Sequence, residues 1–422
     1  MLRFQKSSLK NGMRVVTESH ALSRVVSIGI WVLTGTRDEL KGQEGISHLL
    51  EHLVFKGTKT RNAYQIAKSL ESLGGELNAY TTKEYTVYHC LVLKEHWEKG
   101  LEVLSDLVSN MKFSRSDFLL EKGVILQEIA MGDDNLEEMV FDELYELVYE
   151  KHPLSQPILG TLKSVNGMSQ KQVLDYYKKT YSANNMIVSA AGNVDHTEFL
   201  AAVETYLGKK KKTRINDQRT RPRFKVARKL IDRESEQAHL LLAFNAPSFK
   251  DRFRFEAFVV NILLGGGMTS WLYQSVREKK GLAYSIYSTL VTQVDCGMIG
   301  IYAGCDMEKV EEVYNLIIKD LERLLEKGVS ESEVELFKTQ AKGSTLIGAD
   351  DVDNRMTSIG VNEMVFTKYK PVDDIIAEID RVSKDSVEQF IKQYLRMDRI
   401  SGIIMGPQAS KQVWFKTKFK KA

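Results

Sequence analysis

The strongest constraint on how this chain folds is that it repeats itself. The segment VLDYYKKTYSANNMIVSAAGN from Val173 aligns without gaps on VEQFIKQYLRMDRISGIIMGP from Val387, a displacement of 214 residues that pairs Tyr176 with Phe390 and Gly192 with Gly406. LEVLSDLV from Leu101 aligns on VEEVYNLI from Val310, displaced by 209. Two matches in the same order, each near half of 422 residues, argue for a duplicated domain of about 210 residues. The expected organisation is an N-terminal domain over 1–208, a linker over 209–230 and a homologous C-terminal domain over 231–422.

Within the first copy, helical and strand patterns alternate. Asn11-Gly12 ahead of Val15 and Val16 reads as a hairpin turn, and Val25 to Leu33 as a strand. Ser47 to Phe55 and Ala63 to Leu73 have helical periodicity, Glu76 to Leu93 is a strand or hairpin, and Trp97 to Asn110 is a helix. One long acidic helical stretch is expected from about Ser116 to Tyr149, then a helix near Val173 and a strand at Met186 to Ala191. The fold class is therefore α+β: two homologous domains, each an antiparallel-rich sheet covered by helices.

Composition narrows the function classes. Apolar residues at 43% and charged residues at 27% belong to a globular chain. Cys90, Cys296 and Cys305 form no CxxC pair, which fits a reducing compartment, and the N-terminal stretch has no apolar run of signal-peptide length. The longest apolar runs, such as Val25 to Leu33, fall short of the roughly 20 residues that span a bilayer. A cytoplasmic protein without membrane partners is expected. Between Lys209 and Lys229 stand eleven basic residues and one acid, Asp217, among the loop formers Gly208, Asn216 and Pro222. With Phe224 as its one aromatic, the run reads as a solvated linker rather than a nucleic-acid surface.

The chemistry concentrates in His48-Leu49-Leu50-Glu51-His52, an H-x-x-E-H sequence with helical character. On a helix, Glu51 lies about 60° to one side of His48 and His52 about 40° to the other, so the three share a face. Two imidazoles suit a zinc ion, and a catalytic zinc needs one more protein ligand beside an open position. Glu121 and Glu128, seven residues apart and hence on one helix face, offer carboxylates, of which one can ligate while the other supports it. The second copy has NILLGGGM, Asn261 to Met268, about where the first has HLLEHLVF, so the metal chemistry belongs to one half.

These motifs resemble the pitrilysin-type inverzincins of peptidase family M16, in the two-domain branch that includes the processing subunit of mitochondrial processing peptidase and its bacterial relatives. The resemblance implies a zinc endopeptidase with one Zn2+ per chain, held by His48, His52 and a Glu 76 residues after the second His, which is Glu128. Glu51 would activate the attacking water, with Glu121 behind the ligands. Phe55-Lys56-Gly57-Thr58 and Leu77-Asn78-Ala79-Tyr80-Thr81 match the family's pattern, the latter an edge strand on which an extended substrate can pair. Phe55, Asn78, Ala79 and Tyr80 thereby become candidate substrate contacts, although the strand read alone is equally an ordinary sheet edge.

Arg277 and Tyr284 match the family's C-terminal Arg and Tyr, which bind substrate and stabilise the oxyanion, while Trp271 stands where relatives often carry Arg. Read without the resemblance, Gly265 to Gly267 are a helix terminator and Arg277 a surface charge. Glu138 and Asp142 match a pair that reads an Arg near the cleavage site in the mitochondrial enzyme; read alone they form a solvated acidic helix face. The resemblance further implies a homodimer that closes a chamber around short unfolded, presequence-like peptides, with Arg277 and Tyr284 supplied by the second copy. Alternatives of the same fold are a non-catalytic scaffold subunit, the catalytic half of a heterodimer, and a mitochondrial matrix setting.

Overall fold

A computed structural model describes residues 3–214 and 219–417. The chain forms two compact units, and neither is a contiguous half: unit 1 joins Met1–Met131, Gln156–Thr220 and Ile347–Lys370, and unit 2 joins Gly132–Ser155, Arg221–Leu346 and Pro371–Ala422.

Unit 1 is built on a six-stranded sheet in the order β1-β2-β6-β3-β5-β4. The strands are β1 Arg3–Ser8, β2 Arg14–Ser19, β3 Val25–Val32, β4 Glu76–Thr81, β5 Thr86–Leu93 and β6 Met186–Gly192. All neighbours are antiparallel except β2 and β6, which are parallel. Unit 2 carries five strands in the order β7-β11-β8-β10-β9, with one parallel pair, β7 and β11. They are β7 Arg228–Asp232, β8 Ala238–Ala246, β9 Ala283–Thr292, β10 Gly297–Cys305 and β11 Ser401–Gly406. Apart from β1, the two sheets share one plan.

The duplication is visible residue by residue. Helix Gln170–Thr180 corresponds to helix Lys384–Tyr394 at the same displacement as the sequence match, and β6 corresponds to β11. The paired glycines have a common cause. Gly192 and Gly406 end these strands at φ of 116° and 149°, and a Cβ on Gly192 would meet Val25 O at 2.2 Å. No L side chain fits there without strain.

Each sheet is covered on both faces, which is why β6 and β11 are buried along their whole length instead of alternating. In unit 1, Val26, Ile28 and Ile30 face helices of the first half, including Ile46–Val54 and Trp97–Asn110. The opposite face, with Val16, Trp31, Val87 and Ile187, packs on Met356 and Ile359 of helix Val352–Phe366, which comes from the second half. Gly360 lets that helix approach, since a Cβ would sit 2.3 Å from the Trp31 ring. Buried Arg355 meets both oxygens of buried Glu18, and Tyr369 donates to the same carboxylate at 2.7 Å. Unit 2 has the reciprocal arrangement: Val140, Leu144 and Val148 of helix Leu136–Tyr149, from the first half, pack on Leu241, Met298, Tyr302 and Ile403.

One expectation needs correction. The acidic stretch is not one helix, because it breaks between Arg115–Asp134 and Leu136–Tyr149 at Asn135, whose side chain accepts from Glu138 N and starts a new helix. The boundary between the two units falls within the basic run, at Thr220 and Arg221, and most of its described basic residues are exposed, but several of them have partners. Lys210 Nζ donates to Val108 O, near the C-terminus of helix Trp97–Asn110, and burial pulls its amine down to about 8. Arg219 grips both oxygens of Asp38 at 2.8 and 2.7 Å, and Lys229 already belongs to β7 and pairs with Glu143. Asn216 and Asp217 lie outside the described residues.

Candidate metal centre

Helix Ile46–Val54 buries Ile46, Leu49, Leu50, Leu53 and Val54, so the remaining stripe carries His48, Glu51 and His52. Its start is fixed by Gly45, in the left-handed conformation at φ 90°, and by Glu39. The two Glu39 oxygens accept from Gly45 N and Ser47 N at 2.8 Å each, placing a carboxylate at the positive end of the helix. Burial nevertheless pushes the Glu39 carboxyl up to about 8, against those two donors. Ser47 Oγ shares a hydrogen bond of 2.7 Å with Tyr176 OH.

Helix Arg115–Asp134 brings Glu121 and Glu128 to this stripe. Ligand-capable atoms of His48, His52 and Glu128 all lie within 4.8 Å of one another, the one such cluster among the described residues. His52 Nε2 is 3.7 Å from Glu128 Oε1, while its Nδ1 is 3.0 Å from Oε2 of the buried Glu121. The Glu121 contact leaves Nε2 as the ring nitrogen with a free lone pair. Burial and the neighbouring His52 pull the His48 imidazole down to about 4, and its buried Nδ1 has no hydrogen-bond partner. Two imidazoles and a carboxylate converging in this way are the kind of three-ligand set that suits a catalytic zinc.

Glu51 sits beside this set. Burial raises its carboxyl above the usual range and nearby Glu128 adds to this, whereas a hydrogen bond from Thr81 and the proximity of His52 oppose it. Thr81 Oγ1 donates to Glu51 Oε2 at 2.5 Å. The donor stands on β4, the sheet edge, which pairs with β5 only. Strand alternation puts Thr81 and Ala79 on the face of the metal helix, and Asn78 and Tyr80 on the other. Tyr80 packs on Tyr85 and His89 with ring centroids 6.1 and 5.8 Å away, and the exposed Asn78 accepts from Ala79 N. Phe55 closes the helix and lies 6.1 Å from the Tyr88 ring, half-buried against the core.

The other expected site residues belong to unit 2. Arg277 lies between the rings of Tyr273 and Tyr284, 5.1 and 5.6 Å from their centroids, and Tyr284 is 74% exposed. Trp271 donates to Glu333 and carries the Arg323 guanidinium over its ring at 4.1 Å. Gly265 and Gly266 end helix Arg254–Gly265, and a Cβ on Gly265 would meet Ser288 N at 2.1 Å. Glu138 and Asp142 are exposed on helix Leu136–Tyr149.

Comparison with known proteins fits this geometry. Residues 14–162 match the family model described as insulinase, peptidase family M16, and residues 167–341 match the model described as the peptidase M16 inactive domain. The uncharacterized zinc protease YmxG of Bacillus subtilis is 36% identical over 95% of this chain and 98% of its own length. The chain belongs to peptidase family M16. A zinc protease of Mycobacterium leprae is 35% identical over 96% of this chain and 92% of that protein, and one of Streptomyces coelicolor 35% identical over 97% and 90%. Among solved structures, a Helicobacter pylori protease superposes with a TM-score of 0.91 at 21% identity over 96% of this chain and all of that one, which shows a shared fold. Within the family this chain is a metallopeptidase, and among its described residues the His48, His52 and Glu128 cluster is the one suited to hold a metal ion.

Three residues that bear on this M16 centre were absent from the expected set. Thr81, Lys56 and Glu39 act on Glu51, Glu121 and the helix start respectively. Thr81 was accessible to strand alternation within the matched edge motif, and Glu39 to the search for an acid ahead of a helix that begins with glycine. Lys56 stands in the matched segment Phe55 to Thr58, but nothing local shows that its side chain reaches Glu121.

Proposed function

We propose that this M16 chain is a zinc endopeptidase that cleaves extended, unfolded peptides, with one ion per chain at His48, His52 and Glu128. The observation that carries the reading is the convergence of those three ligand-capable residues beside a half-buried glutamate aimed by a hydroxyl. Zinc held there supplies a Lewis acid that polarises the scissile carbonyl and acidifies the attacking water. Glu51 takes the proton from that water and delivers it to the leaving amine; a carboxyl raised by burial is suited to both transfers. Thr81 holds the receiving oxygen in place. The free edge of β4 offers main-chain pairing at Asn78 and Ala79, which favours extended substrates over folded ones.

Two finer elements belong to the same proposal. Glu138 and Asp142, exposed and one helical turn apart, favour peptides with an arginine near the cleaved bond. A second copy of the chain completes a closed chamber and contributes Arg277, whose guanidinium is pre-oriented between two tyrosines, and Tyr284. The test is cleavage of a presequence-like peptide by the purified chain, with its Arg→Ala analogue alongside. Cleavage abolished by chelation, restored by zinc and faster for the arginine peptide is expected. Hydrolysis that survives complete zinc removal would overturn the reading.

A further inference from the structure

The metal centre has a cation of its own behind it. Glu121 is buried, 2% exposed, and its oxygens have different partners: Oε2 meets His52 Nδ1 at 3.0 Å and Oε1 meets Lys56 Nζ at 2.6 Å. The lysine contact is an ion pair that lies outside hydrogen-bond angles. Lys56 follows helix Ile46–Val54, and its side chain, 31% exposed, meets Glu121, which comes from another helix.

A carboxylate taken out of water with a neutral imidazole as its one partner is an uncompensated charge, and an ammonium at ion-pair distance offsets that cost. The compensation reaches the metal through geometry. Glu121 orients His52 by accepting from Nδ1, so whatever holds Glu121 in place holds Nε2 toward Glu128. We infer that Lys56 is a positioning residue of the metal centre: by pairing with Oε1 of Glu121 it fixes the carboxylate that orients His52, and thereby raises the affinity of the site for zinc.

The inference rests on His48, His52 and Glu128 being the zinc ligands. It makes a distinctive statement about coupling, because an uncharged Gln at 121 can still accept from His52 but presents no buried charge for Lys56 to balance. The experiment is a double-mutant cycle read as zinc dissociation constants, measured by competition with a chromophoric chelator on the full chain. Far-ultraviolet circular dichroism of the metal-free proteins reports folding. Lys56→Met is expected to weaken zinc binding about 10-fold, the lower end of the range for groups that support a ligand. In the Glu121→Gln background the same change is expected to have little effect. Lys56→Gln, which keeps the polar reach without the charge, should behave as Lys56→Met and serves in its place should the methionine variant not fold.

Zinc binding by Lys56→Met as tight as wild type would overturn the Lys56 assignment alone. Equal losses in both backgrounds would do the same, since they would mark a general structural role. A wild-type chain without zinc affinity would overturn both the assignment and the ligand set beneath it.

Discussion

At the scale of single residues the centre depends on contacts made from outside the H-x-x-E-H helix. The Thr81 hydroxyl, thirty positions from Glu51, restricts one carboxylate oxygen. A hydrogen bond to a charged group contributes roughly 1.5 to 3 kcal/mol, and a base free to rotate spends less time aimed at the water. Thr81→Val, which keeps the shape and removes the donor, is therefore expected to lower kcat about 10-fold. KM and zinc content should stay near wild type, since neither ligands nor the main chain of β4 change. Steady-state kinetics with metal analysis checks this; an unaltered kcat would show that Glu51 needs no such restraint.

At the scale of elements, Glu39 decides how the metal helix begins, and its titration gives a signature. Its carboxyl is raised from 4.5 to about 8 in the folded chain. Between these values the unfolded chain releases the proton and the folded chain keeps it, so the folded state binds more protons there. The stabilisation tied to the protonated group is complete below 4.5, falls as pH rises toward 8, and changes no further above it. Urea unfolding of the metal-free protein across this window should show the decline, and Glu39→Gln, with no proton to lose, should flatten it. A variant whose pH slope equals that of wild type would refute the assignment.

Legibility in the sequence differs between elements for physical reasons. The metal helix is readable because its ligands and its apolar stripe obey one local period, and the strand or hairpin at Glu76 to Leu93 because it is rich in Tyr, Thr and Val, whereas its edge position comes from the family pattern alone. Glu128 is singled out only by the spacing that the family resemblance implies, since no local pattern says which distant carboxylate faces a helix. The break at Asn135 was missed because the acids on both sides keep helical periodicity, and one side-chain cap decides the matter. Periodicity also cannot say which sheet an amphipathic helix will cover, so the exchange of Leu136–Tyr149 and Val352–Phe366 was invisible until the packing was known.

At the scale of the whole molecule, that exchange changes what a domain is in this chain. The duplicated halves are recognisable in sequence, yet each compact unit borrows a helix from the other half. A chain cut within the basic run and expressed as residues 1–214 would lack helix Val352–Phe366. It would expose Val16, Trp31, Val87 and Ile187 and leave Glu18 without Arg355. Such a fragment is expected to be insoluble or aggregated, because an apolar sheet face open to water pairs with copies of itself. A soluble monomeric fragment with a cooperative unfolding transition would contradict this.

Holding the metal and using it fall to different residues in the proposed mechanism. Glu51 touches no ligand role, whereas His48, His52 and Glu128 converge as one set. Zinc content and peptide cleavage measured side by side on Glu51→Gln test that division. The variant should retain about one zinc per chain, as expected for a catalytic site with three protein ligands, and lose cleavage by roughly 10² to 10⁴-fold. Cleavage at the wild-type rate, or zinc lost together with activity, would contradict the roles assigned here.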